Sequence, residues 1–170
     1  DKKIWEISEP QKLKELLGNK ISDKTDREQF RRVIRYLKRW KDNNFSSTGR
    51  ERPTGIALTA LCYNLFTVEK DLSYDSLKRT HYFKYNDLLA MTKVVRCILN
   101  QFAWSNRISV KLPVQPYNDL FEKMSDKQML NFKTKLQNLK TILEDASNDT
   151  LISTACERLV KVFGNDFPAS

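Results

Sequence analysis

Apolar residues recur at spacings of three and four along most of this 170-residue chain, the pattern of amphipathic α-helices. The clearest run follows Ser125 and Gln128, which fit a capping box: Met129, Phe132, Leu136, Leu139, Leu143 and Ala146. Residues 107–115 alternate enough to form one extended segment, but Pro113 limits it to an edge or a packed connection. The pattern predicts an all-α fold, a single helical lobe of about six helices with at most one short extended segment.

The remaining helices are placed by their caps. Ser8 and Gln11 fit a capping box at the start of a helix that ends at Gly18, and a second helix is expected over 26–42. Thr54 is expected to cap the helix in TGIALTALCYNLF, and Asn86 to cap a long helix. A last helix is expected over 151–163, ending at Gly164. Residues 73–85 are mixed in pattern and receive no assignment. No internal repeat or linker divides the chain, so one domain over residues 1–170 is expected.

Composition restricts the classes of partner. A formal charge of +9 and a pI near 9.5 favour nucleotides, nucleic acid or another polyanion. The three cysteines, Cys62, Cys97 and Cys156, stand apart in apolar stretches, which indicates free thiols in a reducing compartment. No apolar run approaches the ~18 residues of a membrane span. We therefore expect a cytoplasmic monomer with no membrane partner.

The usual catalytic motifs are missing from these 170 residues. The single histidine, His81, has no partner for a zinc site or a hydrolase triad. The sequence contains neither G-x-x-x-x-G-K-[ST] nor G-x-G-x-x-G, and no Asp-x-Asp pair for two metals. The acidic residues Glu144, Asp145 and Asp149 fit a solvated surface. No catalytic residue and no metal ligand is predicted within the chain.

Positive charge is concentrated in RRVIRYLKRWK, residues 31–41, which hold six cations in eleven positions. A helical wheel places Arg31, Arg35 and Lys38 in one column beside the apolar face, and Arg32 and Arg39 further toward solvent. This column is either a solvated basic face or half of an anion site.

The second half of such a site is offered by Thr54 and Gly55, at the start of the following helix. Free N–H groups at a helix N-terminus bind anions, and glycine lets a phosphate approach the backbone. If Lys38 faces this N-terminus, the two elements could hold a triphosphate. Asp87 is a further candidate that could accept a hydrogen bond from a nucleobase. The alternative for Asp87 is an acidic residue favoured in the first turn of its helix.

Four segments, FRRVIRYLKRWKD, RPTGIALTAL, VKLPVQPYNDLFEKM and LVKVFGNDFP, occur in this order. Their combination resembles the C-terminal helical lobe of bacterial cyclic oligonucleotide synthases, nucleotidyltransferases similar to cyclic GMP-AMP synthase and oligoadenylate synthetase. The resemblance extends over residues 5–168. It implies that Lys38, in the LK-x-W segment, contacts the donor triphosphate, and that Thr54, in the P-[ST]-G-x-A-L turn, assists.

The resemblance also implies an activity for a larger molecule. Enzymes of this family join nucleoside triphosphates into cyclic di- or trinucleotides that signal phage infection. They use carboxylates that bind Mg²⁺ or Mn²⁺ in an N-terminal catalytic lobe, whose Gly-Ser turn and Asp-x-Asp motif have no counterpart in these 170 residues. The chain is thus expected to be inactive alone, with nucleoside triphosphates and that lobe as partners and nucleic acid as a further candidate. The alternatives are a standalone basic module that binds RNA or a nucleotide, or a structural docking lobe.

Overall fold

The computed structural model describes residues 10–46, 52–115 and 117–165, and in these ranges it contains six helices and one two-stranded sheet. The helices are α1 Pro10–Asn19, α2 Lys24–Asn44, α3 Gly55–Leu65, α4 Asp87–Gln101, α5 Asp126–Asn148 and α6 Ile152–Phe163. The antiparallel strands β1 Lys70–Asp75 and β2 Thr80–Tyr85 lie between α3 and α4. The predicted helical lobe is confirmed in its main part, but the chain is not strictly all-α.

The starts of α3, α4 and α5 follow local hydrogen bonds that the sequence predicts. Thr54, Asn86 and Ser125 each accept a hydrogen bond from a backbone N–H in the first turn, and Gln128 completes the capping box at Ser125. At α2 the cap is Asp23, which accepts from the N–H of Asp26 at 2.8 Å, so this helix starts two residues earlier than expected. The capping box expected at Ser8 lies outside the described residues.

The core is formed by the apolar stripes of α2 to α6. Helix α5 packs against α4 and α6, and α2 packs against α3, α4 and α6. Trp40 on α2 is fully buried and contacts Phe45 and Phe132, with ring centroids 5.5 and 6.3 Å apart. Helix α6 ends at Gly164, whose φ of 85° is a backbone conformation that glycine adopts readily. This packing holds α2 against α3, which positions the candidate site.

Residues 107–115 form the packed connection that the sequence predicts. Ile108, Val110, Leu112 and Val114 point inward and are buried. The segment makes one isolated bridge, between Lys111 and Asp119, and no strand. Alternation in this part of the chain therefore indicates inward and outward side chains along a connection between α4 and α5.

The hairpin of β1 and β2 was not predicted. Its strands pair Leu72 with Phe83, and both side chains are exposed, at 62% and 67%. Polar and apolar residues alternate from Asp71 to Asp75, but Leu72 and Tyr74 are both exposed, so this short alternation does not mark a strand packed on the core. The turn contains no glycine, and Arg79 adopts a φ of 54° there. The usual glycine signal of a hairpin turn is thus missing.

All three cysteines are free thiols, as the sequence predicts. Burial raises the pKa of Cys62 to about 12, so this thiol stays protonated and serves as a small apolar core residue. Among the described residues, no helix combines the length and apolar character needed to cross a membrane.

Candidate functional site

The N-terminus of α3 offers several hydrogen-bond donors to an anion. Thr54 lies outside the first turn in an extended conformation, and its Oγ1 accepts a hydrogen bond from the N–H of Ala57 at 3.1 Å. Among the residues that the structure describes, the hydroxyl proton of Thr54 has no acceptor, so it can be donated to a ligand. Helix geometry leaves the N–H groups of Gly55 and Ile56 without acceptors inside the helix. The first turn of α3 holds no acidic residue to balance these donors.

Two lysines of α2 lie next to this N-terminus. A Cβ atom built on Gly55 would be 3.6 Å from Cε of Lys38 and 3.9 Å from Nζ of Lys41. The structure therefore brings together Lys38, Thr54 and Gly55, three of the residues singled out from the sequence. It adds Lys41, which sequence reasoning did not select. Lys41 lies one turn after Lys38, at a spacing of three, so a helical wheel contains the signal for it.

The electrostatics of this junction favour a bound anion. The N-terminus of a helix carries a partial positive charge, and cations beside it are unfavourable unless an anion is present. The side chain of Lys41 is only 12% exposed, and its Nζ lies 3.0 Å from Oδ1 of Asp42. The carboxylate of Asp42, 60% exposed, also lies 3.6 Å from Nη1 of Arg52. We refer to Lys38, Lys41, Thr54 and Gly55 as the α2–α3 junction.

The other two members of the predicted column lie further from the junction. Arg35 and Arg31 are one and two turns before Lys38, about 5 and 10 Å along the helix axis, and both are exposed. Arg31 donates a hydrogen bond to Oε1 of Glu28 at 2.7 Å. These arginines extend the positive surface along α2, and their contact with a ligand stays a prediction.

The sequence placed Arg32 toward solvent, and this was wrong. Arg32 forms a two-pronged ion pair with Asp87, in which Nη2 donates to Oδ1 at 2.9 Å and Nε donates to Oδ2. This hydrogen bonding raises the pKa of Arg32. A helical wheel gives the direction of a side chain but not the element packed opposite. The partner here comes from α4, 55 residues away.

Asp87 is surrounded by donors of its own chain. Besides Arg32, Gln29 donates to Oδ1 at 3.2 Å and Tyr36 donates to Oδ2 at 3.3 Å. Burial raises the pKa of Tyr36, and the neighbouring carboxylate adds to this effect. Asp87 and Tyr36 also line a small, mostly apolar cavity of about 90 Å³. These contacts give Asp87 a structural role between α2 and α4 that the sequence did not predict, and its contact with a nucleobase stays a prediction.

Arg39, also expected toward solvent, is exposed, and its Nε donates to the carbonyl of Phe163 at 2.7 Å, at the end of α6. His81 lies on β2 beside the ring of Tyr74, with centroids 5.0 Å apart. In the described ranges, no group of three or more His, Cys, Asp or Glu side chains is placed to hold a metal ion.

Comparison with known proteins identifies the class of fold. No family model matches the chain. Its fold is that of part of the bacterial cyclic dinucleotide synthases, which confirms the resemblance inferred from the four sequence segments.

Particular structures can be named. The Vibrio cholerae DncV cyclic AMP-GMP synthase, in complex with the linear intermediate pppA(3′,5′)pG, superposes with a TM-score of 0.70 at 21% identity, over 99% of this chain and 42% of that chain. The Escherichia coli DncV, bound to 3′-deoxy GTP, gives 0.68 at 20% identity, over 98% and 40%. A cyclic GMP-AMP synthase of Escherichia albertii is 30% identical over 59 residues, 35% of this chain and 13% of that protein. The chain thus spans about two fifths of the solved relatives.

Proposed function

We propose that this chain is the nucleotide-positioning helical lobe of a nucleotidyltransferase that makes cyclic di- or trinucleotide second messengers in antiviral signalling. The observation that supports it best is the α2–α3 junction, where Lys38 and Gly55 meet at a helix N-terminus. The fold supports it as well, because two relatives of this fold were solved with a linear dinucleotide intermediate and with a deoxy GTP.

The junction would hold the triphosphate of the donor nucleotide. Lysine is a compact point charge that suits a polyphosphate, and charge-assisted hydrogen bonds to phosphate oxygens are about twice as strong as neutral ones. The hydroxyl of Thr54 and the free N–H groups of α3 would supply further donors. Held in this way, the α-phosphate could be aligned for in-line attack by a ribose hydroxyl. The role of this lobe would be positioning and neutralisation of charge.

The chemical step would need residues outside this chain. We expect an N-terminal lobe to provide carboxylates that hold Mg²⁺ or Mn²⁺, which would activate the attacking hydroxyl and stabilise the leaving pyrophosphate. The 170 residues have no Asp-x-Asp motif. We therefore expect no product from the isolated chain with nucleoside triphosphates and either metal.

Substitution of Lys38 by Ala in the protein that carries both lobes tests the proposal. Loss of one charged contact to the triphosphate should cost about 1.5–3 kcal/mol, or roughly ten- to hundredfold in kcat/KM. The matched control is Lys78→Ala, which removes the same charge from a side chain that is 79% exposed at the hairpin turn. Product formation by both variants is measured against the parent enzyme. Equal rates for all three would contradict the proposal.

The net charge of +9 also supports a second candidate, a basic module that binds RNA without catalysis. For such a module, Lys38→Ala should lower RNA affinity modestly for every sequence and reduce the salt slope by about one. RNA affinity across a salt series and product formation are therefore measured on the same variant. Unchanged synthesis with weaker RNA binding would favour this second function.

A further inference from the structure

The two lysines of the junction present different parts of their side chains to Gly55. For Lys38, the atoms within 4.0 Å of a Cβ built there are Cε and Cδ, which belong to the apolar stem. For Lys41, the atom is the ammonium nitrogen Nζ, at 3.9 Å. Both lysines therefore reach the first residue of α3, Lys38 with the end of its stem and Lys41 with its ammonium group, although only Lys38 is indicated by the sequence resemblance.

Lys41 is also held in a particular environment. Its side chain is 12% exposed, so its ammonium group is largely removed from water and needs an anionic partner. Its neighbour in the chain, Asp42, supplies one at 3.0 Å. The carboxylate of Asp42 is itself 60% exposed and lies within reach of Arg52. An exposed carboxylate can leave this pair at little cost, whereas the lysine stays in place.

We propose that Lys41 is a second triphosphate-binding residue, with Asp42 as its counter-ion when no nucleotide is bound. On binding, a phosphate oxygen near Gly55 would replace the carboxylate, and Asp42 would remain paired with Arg52 at the surface. Two lysines one turn apart would then contact the same polyphosphate from one side, with the N–H groups of α3 opposite them. The inference rests on the proposed function, since it concerns the same site.

Three variants of the protein that carries both lobes test this role: Lys41→Ala, Asp42→Asn and Lys38→Ala. The measured quantity is the Kd for inorganic tripolyphosphate and for ATP, by titration calorimetry. Lys41→Ala should weaken binding about tenfold, through the loss of one charge-assisted hydrogen bond. Asp42→Asn should strengthen it about two- to fivefold, because the competing carboxylate is gone. Opposite effects of two neighbouring residues would not follow from a merely structural ion pair.

The outcomes separate this inference from the proposed function. If Lys38→Ala weakens binding and Lys41→Ala does not, Lys41 has no such role and the proposed function stands. Unchanged affinity in both lysine variants would overturn the triphosphate site itself. Asp42→Asn also guards against a folding artefact, since its exposed side chain can be replaced without opening the core. Unchanged or weaker binding by this variant would overturn the role of Asp42 as a competing counter-ion.

Discussion

Arg32 and Lys38 lie six residues apart on α2, yet the fold treats these two cations differently. Arg32 meets a carboxylate of α4 and forms two hydrogen bonds with it. Lys38 instead lies against the N-terminus of α3, where the nearest backbone dipoles are positive, and it makes no ion pair with any residue that the structure describes. A cation neutralised within the fold stabilises the fold. A cation placed beside other positive groups lowers stability slightly and attracts an anion.

The largest expected difference between the two regions is in stability. Asp87→Ala should lower the free energy of unfolding by about 2–4 kcal/mol, because it leaves Arg32, Gln29 and Tyr36 without their shared acceptor in a partly buried position. Lys38→Ala is the matched comparison and should change it by no more than about 0.5 kcal/mol. Urea denaturation of both variants measures the two values. Similar losses would mean that the two cations do not differ in role.

A smaller effect on stability, which depends on pH, is expected where the hairpin contacts α2. Oδ1 of Asp26 accepts hydrogen bonds from Lys70 at 2.6 Å and from the hydroxyl of Tyr85, and these bonds lower the pKa of Asp26. Because the folded pKa is depressed, this stabilisation is present above the unfolded pKa near 3.8 and is lost as the pH falls through the folded pKa. Asp26→Asn should be less stable than the parent at pH 7 and closer to it at pH 3.

Urea unfolding of Asp26→Asn and of the parent at several pH values measures whether their stabilities converge as the pH falls. Asp71→Asn is a suitable control, since Asp71 lies next to Lys70 on the exposed hairpin and accepts from the side-chain amide of Asn86 at 2.7 Å. A difference between Asp26→Asn and the parent that is the same at pH 7 and pH 3 would show that the charge of Asp26 does not contribute. The inference that Asp26 stabilises the fold by neutralising Lys70, as Asp87 does for Arg32, would then be wrong.

These regions also show how much the sequence could predict. The caps at Thr54, Asn86 and Ser125 were predicted because each depends on a hydrogen bond to an N–H three residues away. The prediction that Lys38 lies next to Gly55 followed from two local patterns, the helical wheel of α2 and the start of α3. It also required α2 and α3 to pack at this point, which the sequence pattern alone did not establish.

The remaining features depend on contacts between distant segments. The partner of Arg32 lies on another helix, and the wheel of α2 contains no information about it. The side chains of the hairpin are mostly exposed along both strands, so no face of it packs on the core, and its turn has no glycine to signal it. For Lys41 the spacing was visible, but only the structure places its ammonium group beside Gly55.

The smallest expected effect separates binding from stability at one position of the junction. In Gly55→Ala the new methyl group would meet Lys38 at 3.6 Å, which is an ordinary contact, and alanine favours the helix over glycine by up to about 1 kcal/mol. Unfolding should therefore be unchanged or slightly harder. A phosphate approaching the backbone of Gly55 would meet the methyl group, so the Kd for tripolyphosphate should rise several-fold. Gly18→Ala is the control, because a Cβ there has nothing within 4 Å. Equal affinity in both variants would place the phosphate away from Gly55. Lys38 would then bind its anion elsewhere along α2.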